Sequence, residues 1–307
     1  MITMVENFLA ATVRTATPLL LAGLGALFSS CAGTLNLGME GFMLTGALAA
    51  VLGSYYSGSA TVGVFTAILC GMLLAVIFGY FVIHVKANQT VVGIALNQFS
   101  IGFTTLVNRV ILSGLISVTS VSSFSSIAIP GLARIPILGS TLFNQPALTY
   151  FAFFLVPVAW FSYSRTAVGL EIRAVGHIPK ACATAGISVN RIRWVTILIC
   201  GAMAGIAGAF ISLAQLSFFT ENMVAGRGYM VMAVVTFGNY TPIGVMLTSL
   251  LFGASQALEY RFLAAGTGIP YQVSMMVPYV ITIIALCTTK RRKSNAPISI
   301  GIPYSKE

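Results

Sequence analysis

Aspartate is absent from this 307-residue chain, and charge of either sign is scarce. There are six acidic residues, all glutamate (Glu6, Glu40, Glu171, Glu221, Glu259 and Glu307), and charged residues make up 7% of the chain. A soluble domain carries about a quarter charged residues, so a water-exposed surface could not be covered with so few. The five cysteines, at positions 31, 70, 182, 200 and 287, have no CxxC spacing, which excludes a disulfide framework or a zinc site. The two histidines have no metal-ligand spacing either, and no cofactor is expected. No Walker A loop, nucleophile elbow or HExxH segment is present. Catalysis by this chain is therefore not expected, and any ATP hydrolysis belongs to a separate subunit. No cleavable leader is evident, because Glu6 precedes the first apolar run and that run leads into further ones.

What the chain has in abundance is apolar length. Hydrophobic residues make up 57% of the sequence, and mean hydropathy is +0.95. Apolar segments run over 16–33, 37–56, 60–83, 90–112, 147–164, 194–216, 228–238, 243–259 and 272–288, and several reach the roughly 20 residues that cross a bilayer as helix. An outer-membrane barrel would show short alternating segments instead. The fold expected is an all-α polytopic membrane protein with about 8–10 transmembrane helices, some short or broken. Segment 228–238 is too short to span alone and reads as a half-helix ended by Asn239-Tyr240-Thr241-Pro242, a break tolerated where it lines a cavity.

The net charge of +10 could suggest nucleic acid, but the basic residues cluster in short segments between apolar spans, as the positive-inside rule produces. No nucleic-acid partner is expected; membrane lipid is. Loop 165–193 carries Arg165, Arg173, Lys180, Arg191 and Arg193, and the tail carries Lys290, Arg291, Arg292 and Lys293. Both should be cytoplasmic, with His84 and Lys86. Loop 113–146 then falls outside. A simple count puts the N-terminus outside too, unless a re-entrant element near 33–41 reverses it. Residues 1–293 read as one membrane domain and 294–307 as a disordered cytoplasmic tail.

Four polar exceptions stand out. Asn36–Gly41 (NLGMEG) places Glu40 between apolar stretches. It is either an interfacial turn in water or a costly carboxylate at membrane depth, and a carboxylate at that depth is functional or paired. Residues 169–190 form a mixed-polarity loop in which Pro179 suits a helix start and Gly186 its stop. The loop is an ordinary connector or a docking surface. Arg227, amid glycines, could snorkel to the interface, pair with Glu221, or meet a polar ligand. Asn88-Gln89, Asn97-Gln98 and Asn108 are amides that could line a path or join helices. The runs at 201–208 (GAMAGIAG) and 22–26 (AGLGA) read as packing faces.

Three of these motifs together resemble the permeases of bacterial ABC importers for simple sugars, nucleosides and branched-chain amino acids. Asn36–Gly41 looks like the N-[IL]-G-x-E-G signature of the nucleoside-type branch. Arg173-Ala-Val-Gly176-His-Ile-Pro179 through Ala185-Gly186-Ile187 looks like the family's cytoplasmic coupling segment, with Ile178 and Cys182 departing from its pattern. Ala225-Gly226-Arg227-Gly228, then Phe237-Gly238 and Pro242-Ile-Gly244, looks like its A-G-R-G…F-G…P-x-G stretch, with Asn239-Tyr240 departing.

The resemblance implies a permease in the bacterial inner membrane. It would pair with a second, identical or homologous permease, receive solute from an extracytoplasmic binding protein, and be driven by cytoplasmic ATPase subunits. It implies coupling through Arg173, Gly176, Pro179, Ala185 and Gly186, and a pathway near Asn36, Glu40, Asn97, Gln98 and Arg227. The competing reading is an ion-coupled secondary transporter with Glu40 as the coupling group.

Overall fold

A computed structural model describes residues 2–112, 121–128, 143–264 and 295–304, with a few isolated positions besides. The described residues hold ten helices. These are α1 (Ile2–Cys31), α2 (Met39–Ser57), α3 (Ala60–Gly79), α4 (Gln89–Val107), α5 (Ala147–Arg165), α6 (Ala167–His177), α7 (Pro179–Thr184), α8 (Val189–Phe210), α9 (Arg227–Phe237) and α10 (Pro242–Ala264). Wider π turns extend α3 through Tyr80–His84, α4 through Asn108–Leu112 and α8 through Ile211–Leu216. Among the described residues, five helices are long and apolar enough to cross a membrane. The one departure from all-α structure among the described residues is a short antiparallel pair, β1 (Ser126–Ala128) with β2 (Asn144–Pro146). The apolar segment expected at 272–288 lies almost wholly outside the described residues.

These helices form because their backbone groups have no other partner in hydrocarbon, and their composition sorts centre from rim. In the most apolar windows of α1 and α8, 72% of residues are buried, against 28% in α4. Helices α1, α2 and α8 therefore form the centre. The outer faces stay apolar: Phe65, Leu69, Leu73, Val76 and Tyr80 form an exposed stripe on α3, and Phe99, Phe103, Leu106 and Val110 one on α4. In a bilayer such a face meets lipid, so no hydrophobic force pulls the helices together. Close backbone approach must do that work.

The expected packing faces provide it. Ala67, Gly71 and Ala75 along α3 meet Gly201 and Gly205 along α8, Gly63 lies against Ala50 and Ser54 of α2, and Gly208 lies against Met43 and Ala47 of α2. A Cβ at Gly205 would collide with the Ala67 carbonyl, and one at Gly71 with the Gly201 carbonyl. The run at 22–26 behaves likewise, with Gly25 seated on Cys200 and Met203.

The two ends of the bundle separate cleanly. At one end Trp194 Nε1 donates to His84 Nε2 at 3.3 Å, joining the end of α3 to the start of α8 beside α6 and α7. At the other end Gln145 Nε2 donates to the Ala10 carbonyl and Gln215 Nε2 to the Arg14 carbonyl, so the first turns of α1 lie with loop 143–146. Helix α1, about 45 Å long at 1.5 Å per residue, thus crosses from the face opposite the basic loops, and the break after it does not reverse that count.

The expected disordered tail takes another form. Residues 295–304 fold back onto the bundle, with Ser299 N donating to the Gly176 carbonyl and Gly301 N to the Gly33 carbonyl.

Gly205→Val should lower the thermal unfolding midpoint in detergent, at an overpacking cost of about 1–3 kcal/mol. Gly102→Val, where a Cβ meets open space, should leave it unchanged. Equal midpoints for the two variants would contradict the close-packed α3–α8 seam.

Candidate functional site

Two helix breaks meet inside the bundle. The first is the segment 32–38 between α1 and α2. Within it Asn36 Oδ1 accepts from Gly38 N at 2.8 Å, an Asx turn that closes the backbone on itself. The chain runs back beside α4, where Leu35 N donates to Gln89 Oε1 at 2.7 Å. Helix α2 therefore starts at depth: Met39 Sδ lies 3.3 Å from Cys200 Sγ, and Cys200 is about 16 Å along α8. The second break is the segment 217–226, which dips back from the end of α8. Gly226 turns it into α9 in the left-handed region at φ 82°, a conformation that suits glycine.

Glu40 joins the two breaks. Its carboxylate is 3% exposed, which excludes the water-facing turn. Oε1 accepts from Gly226 N at 2.8 Å and Oε2 from Gly228 N at 2.7 Å. These are the free amides at the N-terminus of α9, and Glu40 itself sits in the first turn of α2. Both helix dipoles thus present their positive ends to one carboxylate. Gly228 permits the approach, since a Cβ there would strike the backbone of Glu40.

Asn97 completes the junction. Its Oδ1 accepts from Gly41 N at 2.8 Å, and its Nδ2 donates to the Leu37 carbonyl and to Tyr229 Oη, each at 2.9 Å. One amide side chain on α4 therefore holds both sides of the first break and the start of α9. Gln89, one of the amides singled out in the sequence, joins helices as that reading allowed; Tyr229 was not signalled, being one polar residue in an apolar helix whose partner Asn97 lies far along the chain.

The remaining expected residues separate. Gln98 is exposed on the outer face of α4, because adjacent helical residues point about 100° apart; the structure does not bring it to the junction. Arg227 does not pair with Glu221. Its Nη2 donates to Tyr260 Oη at 2.9 Å and its Nη1 to Gln215 Oε1 at 3.4 Å. Glu221 instead accepts from Arg109 Nε at 3.1 Å, and that hydrogen bond holds its carboxyl below the usual range. Arg227 lines a cavity of about 640 Å³ with Arg14, Thr15, Gln215 and Tyr260. It opens between the first turns of α1, the end of α8 and the end of α10. Its donors outnumber its acceptors, so it suits a polar, acceptor-rich guest.

At the opposite end, loop 169–190 folds as two helices. Thr166 caps α6, its hydroxyl accepting from Gly169 N at 3.2 Å. Pro179 starts α7 and Gly186, at φ 85°, ends it, as the spacing predicts. The residues expected to take part in coupling divide. Gly176 is buried, its Cα against the Cys31 carbonyl, and Arg173 stacks on Tyr163 at 5.0 Å. Ala185, Gly186 and Ile178 are exposed. Burial raises the pKa of the Cys182 thiol within a small apolar cluster with Val175 and Val189.

A lipid-faced helical bundle, broken at depth around a buried carboxylate and carrying short helices beyond one end, defines a polytopic transport protein. The chain belongs to the family described as the permease component of branched-chain amino acid transport systems, whose model matches residues 8–286. It is a permease subunit of an ABC transporter. It is 33% identical to the guanosine ABC transporter permease NupQ of Bacillus subtilis, over 96% of this chain and 95% of that protein. It is 32% identical to the nucleoside ABC transporter permease NupC of Lactococcus lactis, over 94% of each. It is 38% identical to a Haloferax volcanii protein named as a glucose ABC transporter permease, over 83% of this chain and 77% of that one. Among solved structures, a metal-chelate type ABC transporter in an inward-facing conformation superposes with a TM-score of 0.50 at 12% identity, covering 93% of this chain and 86% of that one.

Glu40→Gln keeps the shape but supplies one acceptor oxygen for two amides. The unpaired N–H should cost about 1–3 kcal/mol, read as a lower unfolding midpoint together with slower uptake. A variant matching wild type in both would remove Glu40 from the junction's support.

Proposed function

We propose that this permease moves a neutral, hydroxyl-rich solute, a nucleoside in the first instance and a simple sugar in the second, into the cell. The likeness to guanosine and nucleoside permeases along nearly the whole chain carries this reading. The donor-rich cavity around Arg14 and Arg227 supports it, because ribose hydroxyls and base carbonyls offer the acceptors those side chains lack. Asn36, Glu40 and Asn97 would shape the pathway by holding the two helix breaks, with Arg227 at its outer approach and Gln98 facing lipid. Glu40, with both oxygens occupied by amides, has a holding role rather than that of an ion-coupling acid.

Solute would arrive from an extracytoplasmic binding protein at the end bearing loop 143–146. Two ATPase subunits would dock on α6 and α7, and a second permease would complete the pathway. In this arrangement the basic loops and the C-terminus face the cytoplasm of a bacterial inner membrane. Ile178, Pro179, Ala185 and Gly186 form the contact surface of the coupling segment, while Gly176 and Arg173 fix its seat.

Two outcomes test this. In vesicles containing this chain with its ATPase, its partner permease and its binding protein, uptake of labelled guanosine should require ATP and survive collapse of ion gradients. Uptake without ATP that follows an ion gradient would sink the proposal. Ala185→Trp should leave membrane insertion intact and weaken ATPase binding by about tenfold or more, the loss of a central interface contact. Unchanged retention of the ATPase would show that α7 is not the docking surface.

A further inference from the structure

The coupling segment and the first helix break are tied together by a strap that neither motif contains. Residues 295–304 cross the inner end of the bundle. Ser299 N donates to the Gly176 carbonyl at 3.0 Å, and Ser299 Oγ donates to the same oxygen at 2.7 Å. Gly176 is the second-last residue of α6, and its Cα lies on the Cys31 carbonyl at the end of α1. Two residues further along the strap, Gly301 N donates to the Gly33 carbonyl at 3.1 Å. Gly33 lies in the break that leads to Glu40.

Arg193 locks the same point from below. It is 2% exposed, among the largest side chains to be fully buried. Its Nε donates to the Ala32 carbonyl at 3.2 Å and its Nη1 to the Ile302 carbonyl at 3.1 Å. It thus spans the break and the strap from the second turn of α8. Among the described residues its Nη2 has no hydrogen-bond partner. A guanidinium held this dry, satisfied by carbonyls at two of its three nitrogens, is costly to bury. Its fork-shaped donor set reaches two diverging carbonyls from separate nitrogens, a geometry that a single-point ammonium matches less well.

We infer that Arg193 and Ser299 are positioning residues for energy coupling. The strap makes the C-terminal end of α6 and the α1–α2 break one rigid unit. Force applied to α6 and α7 from the cytoplasmic side is then carried through Gly176, Ser299 and Gly33 into the segment 33–38, and so to the Glu40 junction. Without the strap, α6 would keep its packing on Cys31, on Tyr163 and against Val189, but it would lose its hydrogen-bonded tie to Gly33 and could tilt without moving the break. This inference rests on the importer reading, since it needs a motor acting on α6 and α7.

The test measures solute uptake and ATP hydrolysis in the same vesicles, containing the full assembly and supplied with labelled guanosine or glucose, whichever the wild type transports. Ser299→Ala, Arg193→Gln and a chain truncated after residue 294 should hydrolyse ATP near the wild-type rate. Solute moved per ATP should fall about threefold or more, the size of a moderate coupling energy. Arg193→Lys should recover part of that ratio. If truncation prevents assembly, the point variants decide. An unchanged ratio in both Ser299→Ala and Arg193→Gln overturns the inference. Uptake and hydrolysis falling together, in step with a lower unfolding midpoint, also overturns it, because the strap would then be only a brace. Wild-type uptake without ATP overturns the importer reading and this inference with it.

Discussion

A peptide N–H left facing hydrocarbon costs several kcal/mol, and the fold of this chain is organised around the two places where it breaks helix at depth. Each break exposes amides that no helix turn satisfies. The solution is shared. Glu40, at the start of α2, accepts from the two amides that open α9, and Asn97, on α4, accepts from Gly41 and donates across to Leu37 and Tyr229. One carboxylate and one carboxamide thereby make two breaks into a single junction. Charge-assisted bonds of this kind contribute about 1.5–3 kcal/mol each. The buried anion is tolerable because two helix dipoles converge on it.

The junction needs its surrounding helices close and rigid, and there the constraint is steric. Lipid gives helices no hydrophobic reason to associate. The α3–α8 and α2–α8 seams therefore rest on glycine and alanine, with carbonyls against Cα atoms. This puts α1, α2 and α8 at the centre, where Phe42 and Phe210 are buried, and it leaves further large apolar residues such as Phe65 and Phe99 on the outer faces, as a soluble protein would not. The same principle operates at Gly176, where α6 rests directly on the end of α1.

Much of this was legible in the sequence, and the unread part has a common cause. The short span at 228–238, the Pro179 start and Gly186 stop of α7, and the packing runs at 22–26 and 201–208 are local patterns: a length, a dihedral preference, a spacing of small residues. Asn97 and Gln98 look alike in sequence, yet one holds the junction and the other faces outward, because 100° of helix rotation separates them. Arg227 and Glu221 invite pairing by proximity, but Glu221 has Arg109 and Arg227 has Tyr260 and Gln215, all from other elements. Arg193 reads as one more cytoplasmic cation at the edge of a span. Nothing local marks it as buried, since its partners Ala32 and Ile302 lie more than a hundred residues away in the chain. Residues 295–304 read as a tail for the same reason: they are short and follow no helical or strand period, and their order comes from Gly176, Gly33 and Arg193.

By itself, the sequence determined that this is a membrane-embedded helical permease, because span length, scarcity of charge and the three motifs are properties of the chain read in order. It also marked Glu40 as a candidate, since a lone carboxylate among apolar residues must either meet water or be paired. Only the tertiary structure decided how: a carboxylate cannot announce which amides it will cap when they lie some 190 positions along the chain. It likewise decided which face of α4 is the inner one and which cation is buried, because those follow from what packs against each side chain and not from its neighbours in sequence.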